Sequence, residues 1–210
     1  MEIFEYGSKA SKSVLIQMVD DHDTKMLERE ARLISEMSGR DFYLKAFKVK
    51  SWNKDLSPWK ASAVFGNEDF GEGAKDTLTE ILSTCIDDSK TYYIGGYSLA
   101  GLFALWSSYQ TDVFKGVAAA SPSVWFRGFA DFMKEHEIKS SHVYLSLGDK
   151  EAKTRNAVMS TVDKRIQEAY AHLKEKGVNC AFEWNKGNHF TEAELRTAKA
   201  FSWVLKQGSR

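Results

Sequence analysis

A serine stands among small residues in Gly95-Gly96-Tyr97-Ser98-Leu99-Ala100-Gly101. The β-like run Thr91-Tyr92-Tyr93-Ile94 precedes it, and a segment with Leu102, Phe103 and Trp106 at helical spacing follows. This context predicts a nucleophile elbow, a tight strand-to-helix turn that holds a serine in strained backbone at the tip of a strand. Strand and helix backbones nearly touch in such a turn, so the positions two before and two after the serine must be small. Gly96 and Ala100 fill them, the alanine adding one methyl where glycine is usual. The chemistry this arrangement serves is nucleophilic attack on a carbonyl carbon. A serine hydroxyl is barely nucleophilic at neutral pH, so it needs a base within reach and a third group to orient that base.

Of five histidines, His189 has the position for the base. It lies in Asn185-Lys186-Gly187-Asn188-His189-Phe190, between the last expected strand and the last expected helix. Loops that leave the carboxyl ends of parallel strands gather over one crevice, where His189 can meet Ser98. His136, His142 and His172 fall on helix or strand-start positions and are read as structural. The orienting acid is expected after the run His142-Val143-Tyr144-Leu145-Ser146-Leu147, which keeps the chain order serine, acid, histidine. Asp149 and Glu151 both stand there, one and three residues past Gly148. Glu151 is favoured, because its place lets the chain turn back toward the histidine loop and its longer side chain extends the reach; the other acid is then a solvated turn residue.

Attack on a carbonyl also calls for two N–H groups where negative charge develops on oxygen, each contributing about 3 kcal/mol. The backbone of Leu99, next to the nucleophile at a helix N-terminus, is expected to give one. The second is expected from the loop Val19-Asp20-Asp21-His22-Asp23, with Asp21 as its donor. Carboxylates and imidazole cluster there, but adjacent side chains on one short stretch rarely converge on a metal without ligands from elsewhere. A helix-capping turn is the preferred reading, with no metal and no cofactor.

The elements that must position these groups form an alternating pattern, which implies a mostly parallel sheet with helices on both faces. Strands are expected at Ser13 to Val19, Phe42 to Val49, Thr91 to Gly95, Gly116 to Ala120, His142 to Leu147 and Cys180 to Trp184, with Glu2 to Tyr6 as a possible edge strand. Asp23 or Thr24 is expected to cap a helix with Leu27, Ala31 and Ile34 on one face, ended by Gly39. A later helix carries Val158, Val162, Ile166, Ala169 and Leu173 on one stripe and stops at Gly177. Thr191-Glu192-Ala193-Glu194 has the form of a capping box opening a last helix through Phe201 and Leu205.

The 210 residues suit one domain, residues 1–210, and no low-complexity stretch divides them. Lys plus Arg and Asp plus Glu both number 29, and the signs alternate along the chain, which argues against nucleic acid or an anionic membrane as partner. The N-terminus lacks a basic leader with an apolar core, so a cytoplasmic location is expected. Cys85 and Cys180 sit apart in apolar patterns and are read as buried thiols rather than a disulfide or a metal pair. The oligomeric state is left open.

The residues resemble an esterase family of α/β-hydrolases that includes ferric-enterobactin esterases, feruloyl esterases and S-formylglutathione hydrolase. Beyond the elbow, Ala119-Ala120-Ser121-Pro122-Ser123-Val124-Trp125 is similar to the family's Ser-Pro-Ser segment, and Asp55-Leu56-Ser57-Pro58 to its Asp-Leu-Thr-Pro segment. Gly187-Asn188-His189-Phe190 is similar to its Gly-Gly-His-Phe around the catalytic histidine, with Asn188 replacing a glycine. Gly148-Asp149-Lys150-Glu151 matches the place where the family puts an acid, often three residues past the glycine. The resemblance runs from about Ser13 to the C-terminus and implies an α/β-hydrolase fold with Ser98 as nucleophile.

Two departures bear on the site. The chain starts almost at the strand before the oxyanion loop, and it has no long insertion to serve as a large lid; Phe126 to Lys139 is the only candidate cover. An open site with a minimal lid is expected. Trp52, Trp59, Phe65 and Phe70 crowd the stretch before the elbow, and Trp125, Phe126, Phe129 and Phe132 follow the Ser-Pro-Ser segment. Some belong to the core and others line an acyl or aryl pocket, with Trp125 and Tyr97 as the expected substrate contacts. The leading reading is a serine carboxylic-ester hydrolase that works on a small-molecule ester through an acyl-enzyme. A non-catalytic binding or scaffold protein and an acyltransferase using the same serine are the alternatives.

Overall fold

The computed structural model describes residues 1–208. Seven strands build one sheet: β1 (Glu2–Gly7), β2 (Ser13–Val19), β3 (Tyr43–Lys48), β4 (Thr91–Tyr97), β5 (Phe114–Ala120), β6 (His142–Gly148) and β7 (Asn179–Asn185). Their spatial order is β1-β3-β2-β4-β5-β6-β7, with β1 antiparallel to β3 and every other neighbour parallel. The parallel strands read as nearly continuous apolar runs because both faces are covered. On β5, Val117 and Ala119 pack into one core while Ala118 and Ala120 pack into the other.

Helices α1 (Leu27–Ser38) and α7 (Ala193–Gln207) lie together on one face, over Leu15, Leu44 and Tyr93, with Phe201 of α7 in the same core. Five others are α2 (Trp52–Asp55), α3 (Ala74–Leu82), α4 (Leu99–Gln110), α5 (Phe129–Glu135) and α6 (Val162–Glu175). The other face is covered by α3, α4 and α6. Residues of all three join its core, and α4 is buried almost all round, with Leu99 to Tyr109 inside. This explains its apolar sequence, since a helix buried on every side needs no polar stripe.

After β3 the chain passes beyond β2 to start β4, and from β4 onward the strands progress the other way. The crevice outside the carboxyl ends of β2 and β4 is therefore the topological switch point, where ligands of such sheets bind. Ser98 and the Asp20–Asp23 loop flank it.

Three local expectations are corrected. Neither Asp23 nor Thr24 caps α1: Asp23–Lys25 forms a 3-10 turn, and the N-cap is Met26 without a side-chain bond. Gly39 does end that helix in the left-handed conformation, at φ 60°. Val158 lies outside the α6 stripe, exposed ahead of a 3-10 turn at Met159–Thr161. The capping box does not form. Thr191 instead exchanges hydrogen bonds with Asn188, Glu194 pairs with Arg29 of α1, and the N-cap Glu192 makes no side-chain bond. Glu194 is taken by a partner the fold brings, and Thr191 by one three residues earlier in the chain.

Candidate active site

Ser98 sits at φ 57°, ψ −119°, between the last residue of β4 and the first of α4. For a residue with a Cβ this is strained backbone, and the surroundings hold it there. Its N–H donates to Ala120 O at 3.1 Å, while its carbonyl accepts from Leu102 N at 3.1 Å and from Ser123 N at 3.0 Å. A Cβ added to Gly96 would lie 2.7 Å from Ala100 Cβ, so the Ala100 methyl occupies the space that Gly96 leaves free.

The structure brings Ser98, His189 and Glu151 together. His189 Nε2 lies 3.0 Å from Ser98 Oγ, and His189 Nδ1 lies 2.7 Å from Glu151 Oε2. Each side chain leaves the carboxyl end of a different strand: Ser98 one residue past β4, Glu151 three past β6, His189 four past β7. Asp149 does not reach the imidazole. Its carboxylate accepts the Gly187 N–H at 2.8 Å and so ties the turn after β6 to the histidine loop.

Glu151 is buried, and its second oxygen is fully engaged. Oε1 accepts from Gly148 N at 2.7 Å, from Ser121 Oγ at 2.8 Å and from Arg196 Nη1 at 2.9 Å. Burial pushes a carboxyl up, but the bond to His189, the charge on His189, the Gly148 N–H and the Ser121 hydroxyl together hold Glu151 below the ordinary carboxylate range. The site thus contains an ionised acid in a dry setting, with one oxygen reserved for the imidazole.

Tyr97 corrects an expectation. It does not line the cavity at Ser98. Its hydroxyl donates to His189 O at 2.9 Å and accepts from Arg196 Nη1 at 3.0 Å, and its ring lies 5.1 Å from the His189 ring. Burial and the Glu151 charge push its phenol up to about 12. Trp125 does line the cavity, and its ring meets Phe65 and Phe70 edge to face at 5.9 and 6.1 Å.

That cavity has a volume of ≈ 440 Å³ and opens beside Ser98 and His189. Its apolar wall includes Trp52, Phe65, Phe70, Trp125 and Met159, and Phe190 stands 89% exposed at its rim. The segment Phe126 to Lys139 is not its cover: Phe126 and Phe132 pack on Trp59, and α5 rests on α6. The walls are instead the stretches around Phe65 and around Asn156, joined by the Asn156 Nδ2 bond to Val64 O at 2.7 Å. A larger groove of ≈ 620 Å³ between α5 and α6 contains neither Ser98 nor His189.

Leu99 borders the cavity, and its N–H belongs to the first turn of α4, whose amides have no intrahelical acceptor. Asp21 lies on the loop after β2 with its carboxylate paired to Lys48, and no residue of Val19 to Asp23 lines the cavity. Asp20 Oδ1 accepts the N–H groups of His22 and Asp23 at 2.7 and 2.8 Å, which makes this loop a capped turn. Among the described residues, no three His, Cys, Asp or Glu side chains gather as metal ligands, and no helix is long and apolar enough to cross a membrane.

Two contributors went unassigned in the sequence. Ser121 binds Glu151 from the loop after β5, at the unusual φ of 43°. Arg196 is 1% exposed on α7. Its signal was a charged residue inside an otherwise buried helical stripe with Thr197, Ala200, Phe201 and Val204.

Comparison with solved structures places this fold in a wider group. Siderophore hydrolase EstA from Aspergillus nidulans superposes with a TM-score of 0.68 at 17% identity, over 96% of this chain and 84% of that one. Enterochelin esterase from Shigella flexneri gives 0.70 at 13% identity, over 98% of this chain and 54% of its own. A ferulic acid esterase gives 0.61 at 13%, over 98% and 97%. The chain has the α/β-hydrolase fold. This α/β-hydrolase chain spans about half the length of the Shigella protein. No protein-family model matches it, and no curated sequence does.

Proposed function

We propose that this chain is a serine carboxylic-ester hydrolase acting on a small-molecule ester through an acyl-enzyme. The observation that carries the reading is the unbroken relay Glu151 Oε2, His189 Nδ1, His189 Nε2, Ser98 Oγ, with contacts of 2.7 and 3.0 Å, opening into an apolar-walled cavity. In this reading Ser98 Oγ attacks the ester carbonyl as His189 Nε2 takes its proton. Glu151 holds Nδ1–H, fixes the tautomer and stabilises the imidazolium. His189 returns the proton to the leaving alcohol, and then activates a water that releases the acid and frees Ser98. The N–H groups of Leu99 and Asp21 are assigned to the oxyanion, which requires the Asp20–Asp23 loop to present its backbone over Ser98. Trp125 holds the apolar part of the substrate. The similarity to esterase structures supports ester chemistry on this fold without naming the ester, since those proteins are a siderophore hydrolase, an enterochelin esterase and a ferulic acid esterase.

Intact-mass analysis after treatment with a fluorophosphonate tests the proposal. One adduct, mapped to Ser98 and lost in Ser98→Ala together with hydrolysis of a 4-nitrophenyl ester, is expected. A folded protein that takes no adduct, or takes it at another serine, would favour a binding protein built on the same elbow.

A further inference from the structure

Arg196 has the surroundings of a working part rather than of a surface charge turned inward. Arginine is almost never fully buried unless it is paired, and this one is 1% exposed with every recorded partner at the candidate site. Nη1 donates to Glu151 Oε1 at 2.9 Å and to Tyr97 OH at 3.0 Å, and it lies 3.3 Å from Ser121 Oγ. Nη2 donates to the carbonyls of Lys186 and Asn188 at 3.2 and 2.9 Å. One guanidinium thereby touches the acid after β6, the loop carrying His189 after β7, the residue before the nucleophile on β4, and the serine after β5. Tyr97, held from one side by Arg196, donates its own hydroxyl hydrogen bond to His189 O at 2.9 Å.

We infer that Arg196 is the positioning residue of this site. Its planar fork occupies Glu151 Oε1, so that Oε2 alone is left for His189, and its other arm fixes the histidine loop at the distance that allows that bond. The inference rests on the acyl-enzyme reading only for its kinetic consequences. Arg196 is absent from the cavity lining, so it acts through Glu151 and His189 and not on the substrate. The charge and the fork shape contribute separately. A lysine keeps the cation beside Glu151 but cannot span the acid and two carbonyls in one plane. The groups facing Glu151 are His189, Arg196, Tyr97 and Ser121; among them Arg196 is the permanent cation.

Kinetics of wild type, Arg196→Lys and Arg196→Met on one activated ester, across pH and alongside melting temperatures, test the inference. Arg196→Met is expected to lose about a hundredfold in kcat at little change in KM, the scale of a misplacement of about 1 Å. Its acid limb in kcat/KM moves to higher pH, because the coupled Glu151–His189 pair takes up a proton earlier once the buried cation beside it is gone. Arg196→Lys restores the acid limb and only part of kcat. A loss that is the same at every pH and follows the folded fraction, or a fully active Arg196→Lys, overturns the inference. A readout independent of turnover is the far-downfield proton of His189 Nδ1–H, assigned by its disappearance in His189→Asn. It should persist in Arg196→Lys and vanish or move upfield in Arg196→Met. If Arg196→Met does not fold, Arg196→Lys alone decides through kcat. If the wild type neither labels at Ser98 nor turns over, the acyl-enzyme reading falls and the downfield proton judges Arg196. An unchanged proton in a folded Arg196→Met ends the inference whatever the activity.

Discussion

Glu151→Gln should be the most damaging conservative change in this chain, and the hydrogen bonds around it say why. In the native site Oε1 accepts three donors, from Gly148, Ser121 and Arg196, and Oε2 accepts one from His189. An amide offers one acceptor and one donor group. If its oxygen takes the Oε1 place, its NH2 faces His189 Nδ1, and the ring must switch tautomer so that Nδ1 accepts. Nε2 then carries a hydrogen toward Ser98 Oγ and cannot take the serine's proton. If the amide is turned over, its NH2 meets three donors, one of them a buried guanidinium, which is worse. The first arrangement therefore prevails, and a wrong tautomer at a Ser-His-acid site lowers kcat by about 10⁴, equivalent to about 5 kcal/mol of barrier. KM should change little, since both carboxylate oxygens are taken by protein donors and none is left for substrate. Asp149→Asn is the internal control. Its amide oxygen can still accept from Gly187 N, so kcat should stay within about twofold, as for a surface substitution that keeps its contact. The assay is initial-rate hydrolysis of a 4-nitrophenyl ester by both variants, with melting temperatures to exclude loss of fold. A crippled Asp149→Asn beside a near-native Glu151→Gln would refute the reasoning.

Other outcomes are expected from the same contacts. Gly148→Ala should lower kcat by at least tenfold (roughly, for a sub-ångström displacement of the acid), because the new Cβ would lie 2.5 Å from Gly187 O and 2.9 Å from both Arg196 Nη1 and Glu151 Oε1; steady-state kinetics and a melting curve check it. Trp125→Ala should raise KM for an aryl ester far more than it lowers kcat, through loss of cavity wall and of two edge-to-face contacts worth about 0.5–1.5 kcal/mol each, read from a saturation curve. Glu30 is buried, and burial, with Asp23 nearby, pushes its carboxyl well up. An acid whose folded pKa is raised stabilises the fold below its unfolded value, and that stability is lost as pH climbs toward the folded value. Glu30→Gln should therefore raise the melting temperature at pH 8 and leave it nearly unchanged at pH 4, where native Glu30 is neutral; equal effects at both pH values would show that ionisation is not the cause.

The parts of the site legible in the sequence are those whose chemistry leaves no choice of residue or of place. The elbow is legible because strain at Ser98 and the contact between Gly96 and Ala100 admit few residue types, so the constraint is written in five consecutive positions. The loop carrying His189 is legible because strand, loop and helix patterns fix where it leaves the sheet. Tyr97, expected as a substrate contact, lies outside the cavity lining. Adjacency in a strand sends neighbouring side chains to opposite faces, and Tyr97 joins the core beneath α7. The failed capping box has a different cause. Thr191 and Glu194 match a local pattern, but Asn188 takes the hydroxyl and Arg29, 165 residues away, takes the carboxylate. Arg196 is the least legible member of the site. Its partners lie at separations of 8 to 99 residues, and no local rule asks for arginine at that position. A cation buried in a helical stripe has to be answered by an anion the same helix does not supply. That anion is Glu151, three residues past β6 and 45 residues from Arg196, so only the assembled sheet and helix bring the two together.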